Sequence, residues 1–368
     1  MEEVFDDWLH HFDRTIKNSF AVFRGYMLQT ITKITLSVLL TGIGIDVFAQ
    51  SNDTQAYSFL KIPTSPTVAA LGGIQNNLKD VNGFFQNPAL VDSSQKGKIS
   101  LNFMPYFQQS KLLSATSNFA AFGRSWGIGV QYLDYGDFVT TDPLGIQQGQ
   151  FKANDFALSL GTSQQQGNIR FGASLKLVGS TIEQYNSTAL LADIGAIFIH
   201  PNQELSYSLV VKNFGFVLKD YSPTSDSQVP LDVQMGLHFK PLNMPAKFSL
   251  MAHHLYKYDI AYTNPNVVVT DLNGNIISQK AGVVDQVARH LVFGVELLFS
   301  KNLQALIGYN HLRNRELSLT KGSNFGGFSV GLRFKTKYLE LSYSYSGYHA
   351  SASANSFGLI LDLKKIVK

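Results

Sequence analysis

The chain has 368 residues, 15% of them charged and 12% aromatic, with a formal net charge of +4 and a mean hydropathy of zero. No stretch after Gln50 is apolar for long enough to be a spanning helix, which excludes a helical membrane protein but leaves a β-barrel, whose strands alternate apolar with polar residues. Cysteine is absent, so disulfides, thiol nucleophiles and Cys-ligated metals are excluded, and no basic cluster interleaved with aromatics points to nucleic acid.

Residues 1–49 read as upstream sequence and a secretory signal. Within Met1 to Tyr26, the stretch from Val4 to Phe23 could form an amphipathic helix. Behind it lie Met27, Lys33, an apolar core from Ile34 to Ile45, and Val47-Phe48-Ala49. A basic start, an apolar middle and a small residue at the cut make a signal peptide. Cleavage is expected after Ala49, translation from Met27, and export of a mature chain beginning at Gln50.

Residues 50–97 are expected to form a hatch, or plug. Pro63 to Leu90 fits neither strand nor linker: it has short apolar patches, a break at Gly72-Gly73 and the tripeptide Asn87-Pro88-Ala89. It could fold inside a cylinder built by the rest of the chain. The alternative is an ordinary N-terminal loop, because Asn-Pro starts turns in many settings.

Residues 98–368 carry a period-two pattern. Ile169, Phe171, Ala173, Leu175 and Leu177 alternate with Arg170, Gly172, Ser174 and Lys176; Phe328, Val330, Leu332 and Phe334 alternate with Ser329, Gly331, Arg333 and Lys335. On a strand the two sets face opposite sides. About fourteen such segments start near Lys98, Leu112, Trp126, Lys152, Ile169, Ser187, Leu205, Leu231, Ala246, Ala288, Leu303, Asn324, Tyr338 and Ala354. Each is expected to hold the roughly 9–11 residues of a tilted membrane strand. Short turns alternate with longer loops at Asp134 to Phe151, Phe214 to Pro230, Lys257 to Val287 and Leu312 to Gly322. The apolar faces carry no charge. So wide a cylinder cannot be filled by side chains alone, so its apolar face meets lipid and its polar face lines the lumen. The expected fold is all-β: a transmembrane antiparallel barrel of about 14 strands with the hatch in its lumen.

Glycine recurs on the lumen side, at Gly129, Gly172, Gly195, Gly236, Gly294, Gly308, Gly331 and Gly358. These positions make room for the plug or, alternatively, allow curvature. Lumen charges of both signs, Arg170, Lys176, Asp193, Asp232, Glu296 and Arg333, would form a network holding the plug; an open pore could also carry them. His253-His254, placed on a strand, would point to opposite faces and could not share a metal. No catalytic, cofactor-binding or metal motif is present, and no enzyme is expected. In the loop from Lys257 to Val287, Val267, Val269, Asn273, Gly274 and Ile276 mark a hairpin that either docks a partner or folds back over the barrel mouth.

Together these stretches resemble the FadL-like outer-membrane barrels, in which an N-terminal hatch with an Asn-Pro-Ala motif plugs a fourteen-stranded barrel; Asn87-Pro88-Ala89 matches that motif. Phe59 to Ser65, Ala69 to Gly73, Asn87 to Leu90 and Val211 to Gly215 are similar to words of the PorV/PorQ group of that family, which belongs to the type IX secretion system. The resemblance implies a non-enzymatic outer-membrane anchor, tethering the surface protein PorZ near the sortase PorU and the shuttle PorV in an attachment complex that joins secreted cargo to anionic lipopolysaccharide. The alternative it carries is a transporter of hydrophobic molecules, as FadL is. The chain departs from many such barrels in ending on Lys368 rather than on an aromatic residue.

Overall fold

The computed structural model describes residues 55–261, 282–317, 326–349 and 352–366. The signal segment and the hairpin of Val267, Val269, Asn273, Gly274 and Ile276 lie outside the described residues.

The strands are β1 (Lys98–Pro105), β2 (Lys111–Ala121), β3 (Arg124–Thr141), β4 (Gln147–Gln166), β5 (Ile169–Ile182), β6 (Tyr185–Ile199), β7 (Leu205–Lys219), β8 (Asp232–Phe239), β9 (Ala246–Ala252), β10 (Leu291–Leu298), β11 (Leu303–Asn310), β12 (Phe328–Lys335), β13 (Leu339–His349) and β14 (Ala352–Asp362). They close in sequence order into one antiparallel barrel, with β1 paired to β14 from Lys98↔Asp362 to Phe103↔Phe357. The expected fold is therefore the observed one. Closure is what lets an isolated sheet lie in lipid, since no edge is left with unpaired amides in the hydrocarbon.

The alternation has the expected sense. Leu175 and Ile194 are each 60% exposed on the outer face, while Ser174, Lys176 and Asp193 beside them are buried in the lumen. The outer wall is a continuous apolar surface that includes Leu101, Val130, Leu160, Leu209, Phe293, Leu332 and Tyr343. Such a wall is stable only against acyl chains, so the barrel spans a membrane.

Several boundaries differ from expectation. The strands run from 7 residues in β9 to 20 in β4, rather than 9–11 throughout. β4 starts at Gln147 instead of Lys152, because β3 and β4 keep pairing through Thr141↔Gln147 as a hairpin that outgrows its neighbours. Asp142 closes its tip, accepting the amides of Leu144 and Ile146, both at 2.9 Å. The expected loop Asp134 to Phe151 is therefore largely strand, whereas the one from Phe214 to Pro230 is only shortened, β7 running on to Lys219 and the connection to β8 following it. β10 starts at Leu291 rather than Ala288, because Val283–Arg289 before it is a helix. β12 starts at Phe328 rather than Asn324, after a turn at Gly327, where φ is +86°.

The lumen is filled by the segment that precedes β1. It contains two short helices, α1 (Pro66–Ala70) and α2 (Gly83–Gln86), and a 3-10 turn at Pro88–Leu90; α3 (Val283–Arg289) and α4 (His311–Leu317) lie in the connections at the opposite end of the barrel from the chain's entry into β1. Sequence explains the local form of the hatch. Ser65 caps α1, accepting the Val68 amide at 3.4 Å, and Pro66 occupies the first turn, where no amide donor is needed. Gly72 and Gly73, at φ +92° and +94°, end that helix, and the Gly73 amide returns to the Val68 carbonyl at 2.9 Å. Asn87 opens the next turn, its Oδ1 accepting the Ala89 amide at 2.9 Å.

Candidate functional site: the stoppered lumen

The hatch is seated on wall glycines. Of the eight lumen glycines, all but Gly236 have a hatch atom among their nearest neighbours. A Cβ on Gly172 would lie 2.3 Å from the Ala89 nitrogen, and one on Gly195 would lie 1.9 Å from Asn87 Oδ1. Across the barrel, a Cβ on Gly308 would lie 2.2 Å from the Gly72 nitrogen. Gly236 instead faces Ser208 and Met251 of the wall. The two hatch motifs thus key into two glycine pairs, Gly172↔Gly195 on β5 and β6 and Gly294↔Gly308 on β10 and β11. The Gly72 carbonyl is held as well, accepting from Asn310 Nδ2 at 3.0 Å and Arg313 Nη2 at 3.4 Å.

The six lumen charges named from the sequence do not form one network. Arg333 and Arg170 reach the hatch: Arg333 pairs with Asp80 at 2.7 Å and with Glu340 at 3.0 Å, and donates to Thr67 Oγ1 at 3.0 Å; Arg170 pairs with Asp92 at 3.2 Å. Lys176–Asp193 and Lys247–Glu296, each at 2.7 Å, tie wall strand to wall strand. Asp232 accepts the His254 amide at 2.7 Å and Gln234 Nε2 at 2.6 Å. Sequence reasoning missed Lys212, which is buried and donates to the Phe85 carbonyl at 3.0 Å. Its signal was available, since Lys212 follows Ser208 and Val210 in the lumen phase of β7. At the turn-rich end, burial raises the Asp92 carboxyl, but the Ser94 amide and Arg170 outweigh it and hold it below its ordinary range.

The loop-side half of the lumen is chemically different. Met104, Leu112, Leu133, Val178, Leu191 and Tyr348 line an apolar chamber, and Tyr57, Phe59 and Leu60 of the hatch fill it. Tyr106 and Phe107 stand edge-on to Tyr348, with centroids at 5.7 and 5.2 Å, and Arg313 lies 4.4 Å over the same ring. Tyr57 bonds through its hydroxyl to Ser187, and the Ala56 amide donates to the Gln228 carbonyl at 3.0 Å. On the outer wall an apolar groove of about 750 Å³ runs across β12–β14 and β1–β3, with Leu101, Leu341 and Phe357 on its flanks. Gly358 forms part of its floor, and a Cβ there would lie 2.9 Å from Pro66 of the hatch.

The expectation that His253 and His254 face opposite sides is corrected. β9 ends at Ala252, and His254 adopts φ +54°, so strand alternation no longer applies. The two Nδ1 atoms face one another, and both rings lie beside Asp232.

No family model matches the chain, and no curated protein matches it. Among solved structures it is similar to the Pseudomonas putida toluene transporter TodX, at 11% identity over 81% of this chain and 97% of that one, with a TM-score of 0.48. It is also similar to the Acinetobacter baumannii outer membrane protein Omp33, at 8% identity over 72% of this chain and 95% of that one, with a TM-score of 0.35.

Proposed function

We propose that the chain is a FadL-like barrel of the outer membrane that takes a hydrophobic small molecule into the loop-side half of its lumen. The apolar chamber around Tyr57, Phe59 and Leu60 carries this reading. A barrel built to pass water and solutes has a polar lumen. An apolar lining needs an apolar occupant, and here the occupant is a segment of chain rather than the wall's own side chains. That segment is held differently from the rest of the hatch. Residues 66–90 are wedged between glycine pairs and ion pairs, whereas Tyr57 is held through its hydroxyl and the neighbouring Ala56 amide. Displacing residues 57–60 would open the chamber without unseating the stopper. The test is saturable binding of a fluorescent naphthylamine to the full chain in detergent. The Phe59→Ala, Leu60→Ala variant is expected to bind at least several-fold tighter than the parent; absence of saturable binding in both rejects the proposal.

A second reading has its own support. The β3–β4 hairpin extends past the last β2 partner, Lys111↔Asp134, and the last β5 partner, Ala153↔Ile182. Residues 137–141 and 147–151 therefore present outer edges with no partner strand among the described residues, and Leu144 (84%) and Ile146 (61%) are exposed at the tip. Such an edge accepts a strand from another protein. Together with the resemblance to the PorV/PorQ group, this supports a non-enzymatic anchor in the type IX attachment complex, with PorZ, PorU and PorV as partners and lipopolysaccharide nearby. Affinity purification from native outer membranes separates the two readings. Recovery of the barrel without those subunits counts against the anchor.

A further inference from the structure

We propose that the loop-side rim of the barrel binds one divalent transition-metal ion, of the zinc, nickel or copper kind, through Asp232, His253 and His254. The site joins the start of β8 to the end of β9, beside Lys61 of the hatch. One donor atom from each of the three side chains falls within 4.8 Å of the other two. That spacing suits a single cation bound at about 2.0–2.2 Å from each donor.

The backbone creates the convergence. Because the left-handed His254 follows the last residue of β9 so closely, consecutive imidazoles turn to the same side, with centroids 4.7 Å apart and planes at 70°. Their Nδ1 atoms face one another at 2.5 Å, so one ring must donate a proton to the other or the pair must open slightly around a shared cation. His253 is 1% exposed, and its Nε2 has no hydrogen-bond partner among the described residues. An imidazole sealed from water with so little compensation is costly unless it serves a ligand.

The surroundings fit a ligand set. Asp232 is oriented by the His254 amide and the Gln234 side chain, and retains lone pairs for a cation. His290 grips the His253 backbone from both sides: its Nδ1 lies 2.7 Å from the His253 carbonyl, and its own carbonyl accepts the His253 amide at 3.0 Å. Such outer contacts fix a ligand's orientation. Lys61 and Lys257 face His254 and oppose a cation, while Asp232 supplies the compensating charge. Two imidazoles and one carboxylate suit borderline metals and not calcium or magnesium, which need oxygen shells.

The test uses the full chain, purified through a tag without histidine and stripped with chelator. Zinc chloride is titrated calorimetrically, and cobalt(II) is titrated with visible absorption as the readout. One equivalent is expected to bind in the micromolar range, with a cobalt ligand-field band. His254→Ala and Asp232→Asn are each expected to weaken binding at least tenfold, and His200→Gln, at the opposite end of the barrel, to leave it unchanged. Gel mobility before and after heating reports whether each variant still forms the barrel, and His254→Ala removes the less buried of the two rings. No saturable binding by the parent chain, or binding that survives loss of His254 in a folded barrel, overturns the proposal. A proton shared between the two rings would give the first of these results.

Discussion

Gly172 and Gly195 are Cα partners across the β5–β6 ladder, and Asn87-Pro88-Ala89 of the hatch is seated on both. The wall lacks side chains where the hatch backbone touches it. A methyl group at either position must displace backbone or a capping side chain. Gly195→Ala is therefore expected to destabilise the barrel by about 1–3 kcal/mol. Gly236→Ala should cost less than half as much, because its new methyl meets the movable side-chain ends of Ser208 and Met251, whereas one at Gly195 drives into the Asn87 amide, which is fixed by capping the hatch turn. Thermal unfolding in detergent, read as loss of the compact gel species, compares the two; equal losses would show that the hatch is not keyed at Gly195.

Arg333 is the principal ionic link between wall and hatch. Removing it leaves Asp80 and Glu340 buried without their cation. Arg333→Met is expected to cost about 3–5 kcal/mol, the usual penalty for breaking a buried pair from one side. Asp80→Asn should cost less, since Arg333 keeps Glu340. The ordering of the two variants in urea unfolding checks the assignment.

Asp285 joins the two loop-side helices. It accepts from Arg289 of α3 at 2.9 Å, and from His311 and Arg315 of α4 at 3.0 and 2.7 Å. Partial burial raises its carboxyl, but these three donors outweigh burial and bring it down to about 2. A depressed carboxylate contributes its full stabilisation above its ordinary value, near 4, and loses it as pH falls through about 2. The helix contact should therefore be intact at pH 5 and loosened at pH 2. Because the chain has no cysteine, a spin label at Val284→Cys reports this site alone. The label is expected to gain mobility only at the lower pH, whereas with Asp285→Asn it should be mobile at both.

Leu175 lies on the lipid face near the middle of β5, next to the buried Ser174. Leu175→Arg should reduce folding stability in liposomes by about 2–4 kcal/mol, the midplane cost of a charge on a barrel's outer face. The same variant should lose much less in a detergent micelle, where the charge reaches water.

The period-two alternation was readable because lipid imposes it. The outer face must be apolar and free of charge apart from an occasional small polar residue, so strand count, face assignment and the lumen position of Arg170, Lys176 and Arg333 were legible without a structure. Lumen glycines were legible as positions, and the structure decided between room for a plug and curvature. Beyond the wall that constraint lapses. There the β3–β4 extension has the composition of a loop, and the residues of the Val283–Arg289 helix run without a break into β10.

What the sequence determined, then, is whatever a single strand experiences: which face meets acyl chains, where it turns, and which residues stand in the lumen. What only the tertiary structure decided is who meets whom inside. Arg333 and Asp80 are 253 positions apart, and barrel closure alone brings them to 2.7 Å. The chamber around Phe59 likewise gathers side chains from β1, β2, β3, β5, β6 and β13. Such contacts depend on the cylinder as a whole, and no local period encodes them.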